Sequence, residues 1–475
     1  MRKRLFTLEL SFVFVFLCSS LSMIAQQQTF YADSLTKQIS LSSFMELVKQ
    51  NHPAIKVALG QVSMAEAEML SAKGGFDPKL YTKLDQKYFK DNNYYSVLNG
   101  GVTVPTWLGL DLDVNYSENE GAFLNPMKTT PTGGLLSVGA SLNIGKGLLF
   151  DQRRAAYRNA QLMLQMGENE KRLQVNMVLM NAYKTYWKWY IAYENLQVLN
   201  EGLILAKTRL SAVKSQAVFG DKPAIDTVEA LSQVQNREAD LIQGKLDVQN
   251  QTLYLSAYLW GENLIPLELS PNAFPKKDEE SIAANALANI ADTSLVNNPL
   301  LVSSRLKLQQ IQVEKKLAKE MYKPTIKLKY NALQEPVGDL VNNYNMNNYT
   351  WGFQFGMPLL FRKERGKLRL LKAKEEMQQY ELELKQKQLQ VKIDAALNKL
   401  QALVDQTKVF KDLVNNYAVL VAAENKIFKG GEGSLFLVNS RESKYIEGYL
   451  KYNTIRLKAM ESQAELNYLL SNFEE

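Results

Sequence analysis

The chain has 475 residues, a formal net charge of +7, one His and one Cys. Thiol chemistry is excluded because the single Cys lies in a segment expected to be removed, and histidine chemistry has only His52 to act through. The basic stretches at 315–323 and 362–374 are interrupted by acids or apolar residues, which suits solvated helix faces, so no nucleic acid partner is expected.

In chain order, Arg2, Lys3 and Arg4 precede a mostly apolar run that ends at Ala25, and residues 1–25 read as a secretory signal peptide. Leu17 is not the small residue that lipidation of Cys18 would need before it, so simple cleavage is the expectation and lipidation the minority reading. Asn51-x-Pro53 then starts a helix expected to reach Gly74, with His52 a surface residue near its cap, and Pro78 stands 25 positions after Pro53. Past Pro78 the hydrophobic period becomes two. Leu80, Thr82, Leu84 and Tyr88 alternate with Tyr81, Lys83, Asp85 and Lys87, and LDLDVNYS and LSVGASLNI alternate in the same way. The span 79–145 has room for about four strands, with Pro105, Trp107 and Gly109 at the turn of an added hairpin.

A long helix follows over 153–218, a turn at Gly220, and a return helix over 225–260. Ala182, Tyr186, Trp189, Tyr193, Leu196, Leu199, Leu203, Ala206, Leu210, Val213 and Ala217 recur at steps of three and four along the long helix, and the stripe Tyr183, Tyr186, Trp187, Tyr190 reads as packing. The segment 262–296, with clustered prolines, is a linker. Then the pattern repeats: Asn297-x-Pro299, Pro324 again 25 positions on, strands in TIKLKYNA and YTWGFQFGM, a long helix over 367–428, a turn at Gly431 and a return helix over 435–471. Leu148 and Leu359 each precede the turn glycine by 72 positions, which makes the chain an internal tandem duplication, 26–261 and 297–475, of the α+β class. Strands with one dry and one wet face are the signature of a transmembrane barrel. No mature segment has the apolar run of about 20 residues that a spanning helix needs. One such strand alone would suit an ordinary half-exposed sheet; five in an exported chain favour the barrel.

In the two Asn-x-Pro motifs, the Pro78 and Pro324 strand starts, MPLLF at 357–361 and the two glycine turns, the chain resembles the TolC-like outer-membrane efflux proteins over essentially its whole mature length. The resemblance implies a homotrimer with a shared transmembrane β-barrel in outer-membrane lipid and long helical hairpins forming a periplasmic α-barrel. It implies a passive exit duct of a tripartite efflux pump or type I secretion system, partnered by a periplasmic adaptor and an inner-membrane pump. No catalytic residue, cofactor or metal belongs to that picture. Docking falls to Gly220, Gly431, Gly433, Ser434 and Leu435 at the helix tips. The chain departs from the family's two strands per half, so its added hairpin either enlarges the barrel or packs outside it. It also departs at the gate, where Asp226 matches the family's acidic position but Leu437, Ser440 and Arg441 stand in the second half. A constriction there is apolar, or is built by Arg441 and Glu442 pairing with neighbouring helices, or these are solvated tip residues. The rival reading is a secreted coiled-coil structural or adhesive surface protein.

Overall fold

The computed structural model describes residues 38–270, 272–276, 297–336 and 345–473; the signal peptide with Cys18, and residues 277–296 of the linker, lie outside them. Among the described residues the helices are α1 (Leu41–Asn51), α2 (Pro53–Lys73), α3 (Gln152–Val218), α4 (Ala224–Ser256), α5 (Pro299–Glu320), α6 (Arg362–Lys429) and α7 (Leu435–Leu470). The longer strands are β1 (Lys79–Phe89), β2 (Asn92–Pro105), β3 (Leu110–Glu120), β4 (Leu135–Asn143), β5 (Thr325–Gln334) and β6 (Tyr349–Gly356).

The two Asn-x-Pro motifs act differently. In the first, Asn51 closes α1, His52 is the joint and Pro53 begins α2. In the second, the cap of α5 is Asn298 and not Asn297. Its side-chain oxygen accepts from the Leu300 N–H at 3.0 Å while its amide donates to the Leu469 carbonyl at 2.7 Å. Capping satisfies a donor that the first helical turn would otherwise leave unpaired, and Pro at the first position has no N–H to lose. Helix α1 is absent from the sequence expectations; it is held by the Ser40 cap and by burial of Phe44 and Val48.

Contacts divide the chain into two units. Among the described residues, one unit takes 38–53, 179–270, 272–276 and 399–465; it is mostly helical and includes a two-residue parallel ladder, Gln38–Ile39 with Phe274–Pro275. Its core follows the predicted seams: Val198, Leu199, Leu203 and Ala206 of α3 pack with Val234 and Leu241 of α4 and Ile446 of α7, and Leu403 of α6 with Ile455 and Ala459 of α7. The aromatic stripe is buried packing, with polar ends satisfied at Tyr186 and at its neighbour Trp189. The Tyr186 hydroxyl donates to the Ile39 carbonyl at 3.0 Å, and Trp189 Nε1 donates to Thr252 Oγ1 at 3.1 Å.

The other unit comprises residues 54–178, 288–398 and 466–475 and contains the sheet, whose order is β1-β2-β3-β4-β5-β6, antiparallel throughout. The added hairpin β2–β3 is therefore inside the sheet and not packed beside it. Its turn is anchored to the segment after α2 and to the start of α3: Trp107 stacks on Phe76 at 3.9 Å and meets Tyr157 edge-on at 5.0 Å, and Arg153 donates to Asp111 Oδ1 at 3.1 Å. Farther along, Asn169 of α3 donates to the Pro299 carbonyl and to Ser303 Oγ of α5, both at 2.8 Å, and Lys315 of α5 pairs with Glu375 of α6.

Candidate functional site

In a strand successive side chains leave opposite faces, so the pairing register decides whether six alternating strands agree. Here they do. One row runs Leu80, Val102, Val114, Val138, Ala332, Tyr349, and the next, Val104, Leu112, Ala140, Tyr330, Trp351. On this face Leu80, Leu84, Leu112, Val114, Val138, Leu328, Tyr330, Trp351, Phe353 and Phe355 are exposed. The opposite face carries Lys79, Tyr81, Lys83, Asp85, Asn99, Asp111, Asp113, Asn115, Ser117, Lys327 and Lys329, tied together by cross-strand hydrogen bonds. Tyr81 donates to Asn115 Oδ1 at 3.1 Å, Ser117 to Asn99 Oδ1 at 2.8 Å and Thr103 to Asp113 Oδ1 at 2.7 Å. Strands β1 and β6 each have one edge without a partner strand among the described residues.

At the helix turns Gly220 and Gly431 have φ of +80° and +86°, a left-handed backbone that glycine alone adopts freely. Gly433 is glycine for another reason: a Cβ would sit 2.7 Å from Phe428 Cα. Around the turns Val218, Phe219, Ile225, Phe436 and Leu437 are exposed, as is Ser434. Leu435 is only 4% exposed and packs with Val213, Ala230, Phe428 and Val438, so it supports the tip and presents no surface. Asp226, half-buried, lies in the first turn of α4, where a carboxylate suits the positive end of the helix.

Of the second-half gate candidates, Ser440 and Arg441 are half-buried, and Glu442 is buried. Glu442 forms a two-pronged pair with Arg209 of α3, one prong 2.8 Å long. Arg209 also donates to Asn439 at 3.0 Å and to Asn425 of α6 at 3.4 Å, and the Asn439 amide donates to Glu229 of α4 at 3.2 Å. One polar network, buried at Arg209, Asn439 and Glu442, thus ties four helices together just behind the tips. Next to it Arg237 of α4 donates to Ser443 Oγ at 2.8 Å. Farther along α7, burial first and then the Glu194 carboxylate push the Tyr449 hydroxyl up to about 12.

No family model matches the chain, and no curated protein does. Solved structures do match. The Campylobacter jejuni CmeC outer membrane channel superposes with a TM-score of 0.63 over 90% of this chain and 85% of its own, at 15% identity. The Vibrio cholerae outer membrane protein VceC gives 0.62 over 90% and 95%, at 15% identity, and the open-state Neisseria gonorrhoeae MtrE outer membrane channel 0.62 over 90% and 88%, at 13% identity. The fold is that of outer-membrane channels. Within the outer-membrane channel fold the residues that sequence reasoning missed are Arg209 and Asn439. The apolar seam steps from Ala206 through Leu210 to Val213, and Arg209 stands one position beside it, so the period points past the residue that is buried. Glu442, by contrast, is singled out in the sequence and stands at seam spacing between Val438 and Ile446.

Proposed function

We propose that the chain is the outer-membrane exit duct of a tripartite efflux pump or type I secretion system. It works as a homotrimer, and it opens when a periplasmic adaptor and an inner-membrane pump engage the helix tips. The observation that carries this reading is the register of the sheet, which gathers the apolar side chains of six strands on one exposed face and leaves both outer edges open. A dry face of that extent needs lipid or protein against it. Open edges in a membrane are tolerated only by closure, because unpaired N–H and C=O groups have no water there. Six strands from one chain are too few to close around a lumen, whereas strands pooled from several copies enclose an aqueous channel. The dry face then meets lipid and the wet face lines the duct.

At the helix tips the exposed apolar residues Val218, Phe219, Ile225, Phe436 and Leu437, together with the turn glycines Gly220 and Gly431 and with Ser434, form the adaptor-docking surface. The Arg209–Glu442 network behind them holds the resting tip closed. Its release lets the packed seams slide, a shear of helix against helix. The decisive measurement is the protein mass of the detergent-extracted particle by light scattering, with pore conductance in a planar bilayer on the same preparation. Three copies and discrete conductance steps support the duct; a single copy without conductance refutes it.

A further inference from the structure

The wet face of the sheet is not electrically neutral. Its strands place Lys79, Lys83 and Lys87 of β1 and Lys327 and Lys329 of β5 on the same side as Asp85 of β1 and Asp111 and Asp113 of β3. Two of the acids are already spent. Asp85 pairs with Lys83, and Asp111 accepts from Arg153 at 3.1 Å. What remains is Lys79, Lys87, Lys327 and Lys329 against Asp113, whose carboxylate accepts from Thr103. Asp113 shares a register row with Lys79 two strands away, about 9–10 Å at the usual strand spacing. That is beyond a Debye length of about 8 Å at physiological salt. Lys327 and Lys329 face Asn143 and Ser141 on β4 and Gln354 and Gly352 on β6, so no carboxylate sits opposite either of them.

From this distribution we infer that the barrel is an anion-preferring conduit, with Lys327 and Lys329 as its principal selectivity residues and Lys79 and Lys87 contributing from β1. The inference rests on the duct reading, in which the wet face lines the lumen. There every copy repeats the same lysines, and rings of lysine in a pore with low-dielectric walls raise the local concentration of anions and repel cations. The solute class that leaves most readily is then anionic, whatever pump delivers it. The overall charge of +7 did not indicate this, because it is spread over the helices; the excess on the wet face emerges only when the register sorts each strand into two faces.

The test is the reversal potential of the full-length mature protein in a neutral-lipid planar bilayer under a KCl gradient. The wild type should give the sign of chloride preference. Lys327→Gln with Lys329→Gln should bring the potential toward zero, and Lys327→Glu with Lys329→Glu should invert it. Asp113→Asn should strengthen chloride preference. A wild type that conducts with potassium preference, or a reversal potential indifferent to the paired lysine changes, overturns the inference and leaves the duct standing. No conductance from a folded, lipid-inserted wild type removes the duct reading itself and the inference with it. Because each lysine points to the wet face, the Gln pair serves as the check on folding, through an unchanged particle mass.

Discussion

Arg209 and Glu442 are buried among the packed helices, and this makes their energetics readable. Breaking a buried pair by truncating one partner strands the other charge, at a cost of about 3–5 kcal/mol, whereas replacing both by apolar groups of similar volume is often neutral. Arg209→Met should therefore reduce amide exchange protection around the tips of α4 and α7, while Arg209→Met with Glu442→Leu should recover most of it. In the bilayer the single variant should be open more often than wild type. A double variant as unprotected as the single one would mean that Arg209 acts through its other contacts, Asn439 and Asn425, and not through the pair. His52 allows a second prediction at this scale. It stacks on Tyr258 at 5.4 Å, and burial holds its imidazole below the ordinary value of 6.5. A group whose pKa is lowered by folding binds fewer protons in the native state than in the unfolded chain. Its contribution is intact above pH 6.5 and is lost as pH falls through the lower native value. As the only His in the chain, it gives a single carbon-13 histidine signal, whose midpoint should lie below 6.5 and should rise in Tyr258→Ala. A midpoint at or above 6.5 would contradict the burial seen at the α1–α2 joint.

Among the elements, the hairpin β2–β3 is the one whose anchoring can be tested on its own. Its turn is held by Trp107 between Phe76 and Tyr157, and each aromatic pair is worth about 0.5–1.5 kcal/mol beyond area burial. Trp107→Ala should lose both pairs, leave the strand ladders paired, and expose the 106–109 turn to limited proteolysis in detergent. Unchanged cleavage would show that the Arg153–Asp111 contact alone fixes the turn. This hairpin also marks the boundary of what the chain reveals before folding. Alternation of Leu110, Leu112, Val114 and Tyr116 with Asp111, Asp113, Asn115 and Ser117 makes β3 legible, because a period of two has one structural meaning. Alternation does not say which strand lies beside which, so the place of the hairpin within the sheet appears only with the register. Helix α1 stayed hidden because only Phe44 and Val48 of its 11 residues are buried, too few to make a periodic stripe. The glycine turns were legible from backbone chemistry, but the partner of Glu442 is 233 residues away in sequence, and no local rule reaches it.

In the whole molecule the two free edges decide how copies assemble. An even number of strands leaves β6 running opposite to β1, so pairing the β6 edge of one copy with the β1 edge of the next continues the antiparallel order of the sheet. The pairing must also keep the faces matched, because a slip of one residue would turn every Leu and Phe of a strand toward the water and every Lys toward lipid. Cysteine scanning measures this directly, since Cys18 is the only Cys in the full chain and lies within the segment expected to be cleaved. With Phe353→Cys on the dry face of β6, one of Leu80→Cys, Thr82→Cys or Leu84→Cys on the dry face of β1 should cross-link between copies under mild oxidation, because opposed dry-face residues bring their Cβ atoms within disulfide reach. The wet-face positions Tyr81→Cys and Lys83→Cys should not. Each copy carries both edges, so the covalent product should climb to a closed ring and stop there, at three chains if the duct is trimeric. Cross-linking that ignores the face, or that stops at two chains, would mean that the edges meet something other than one another. The exposed dry face would then need a different cover.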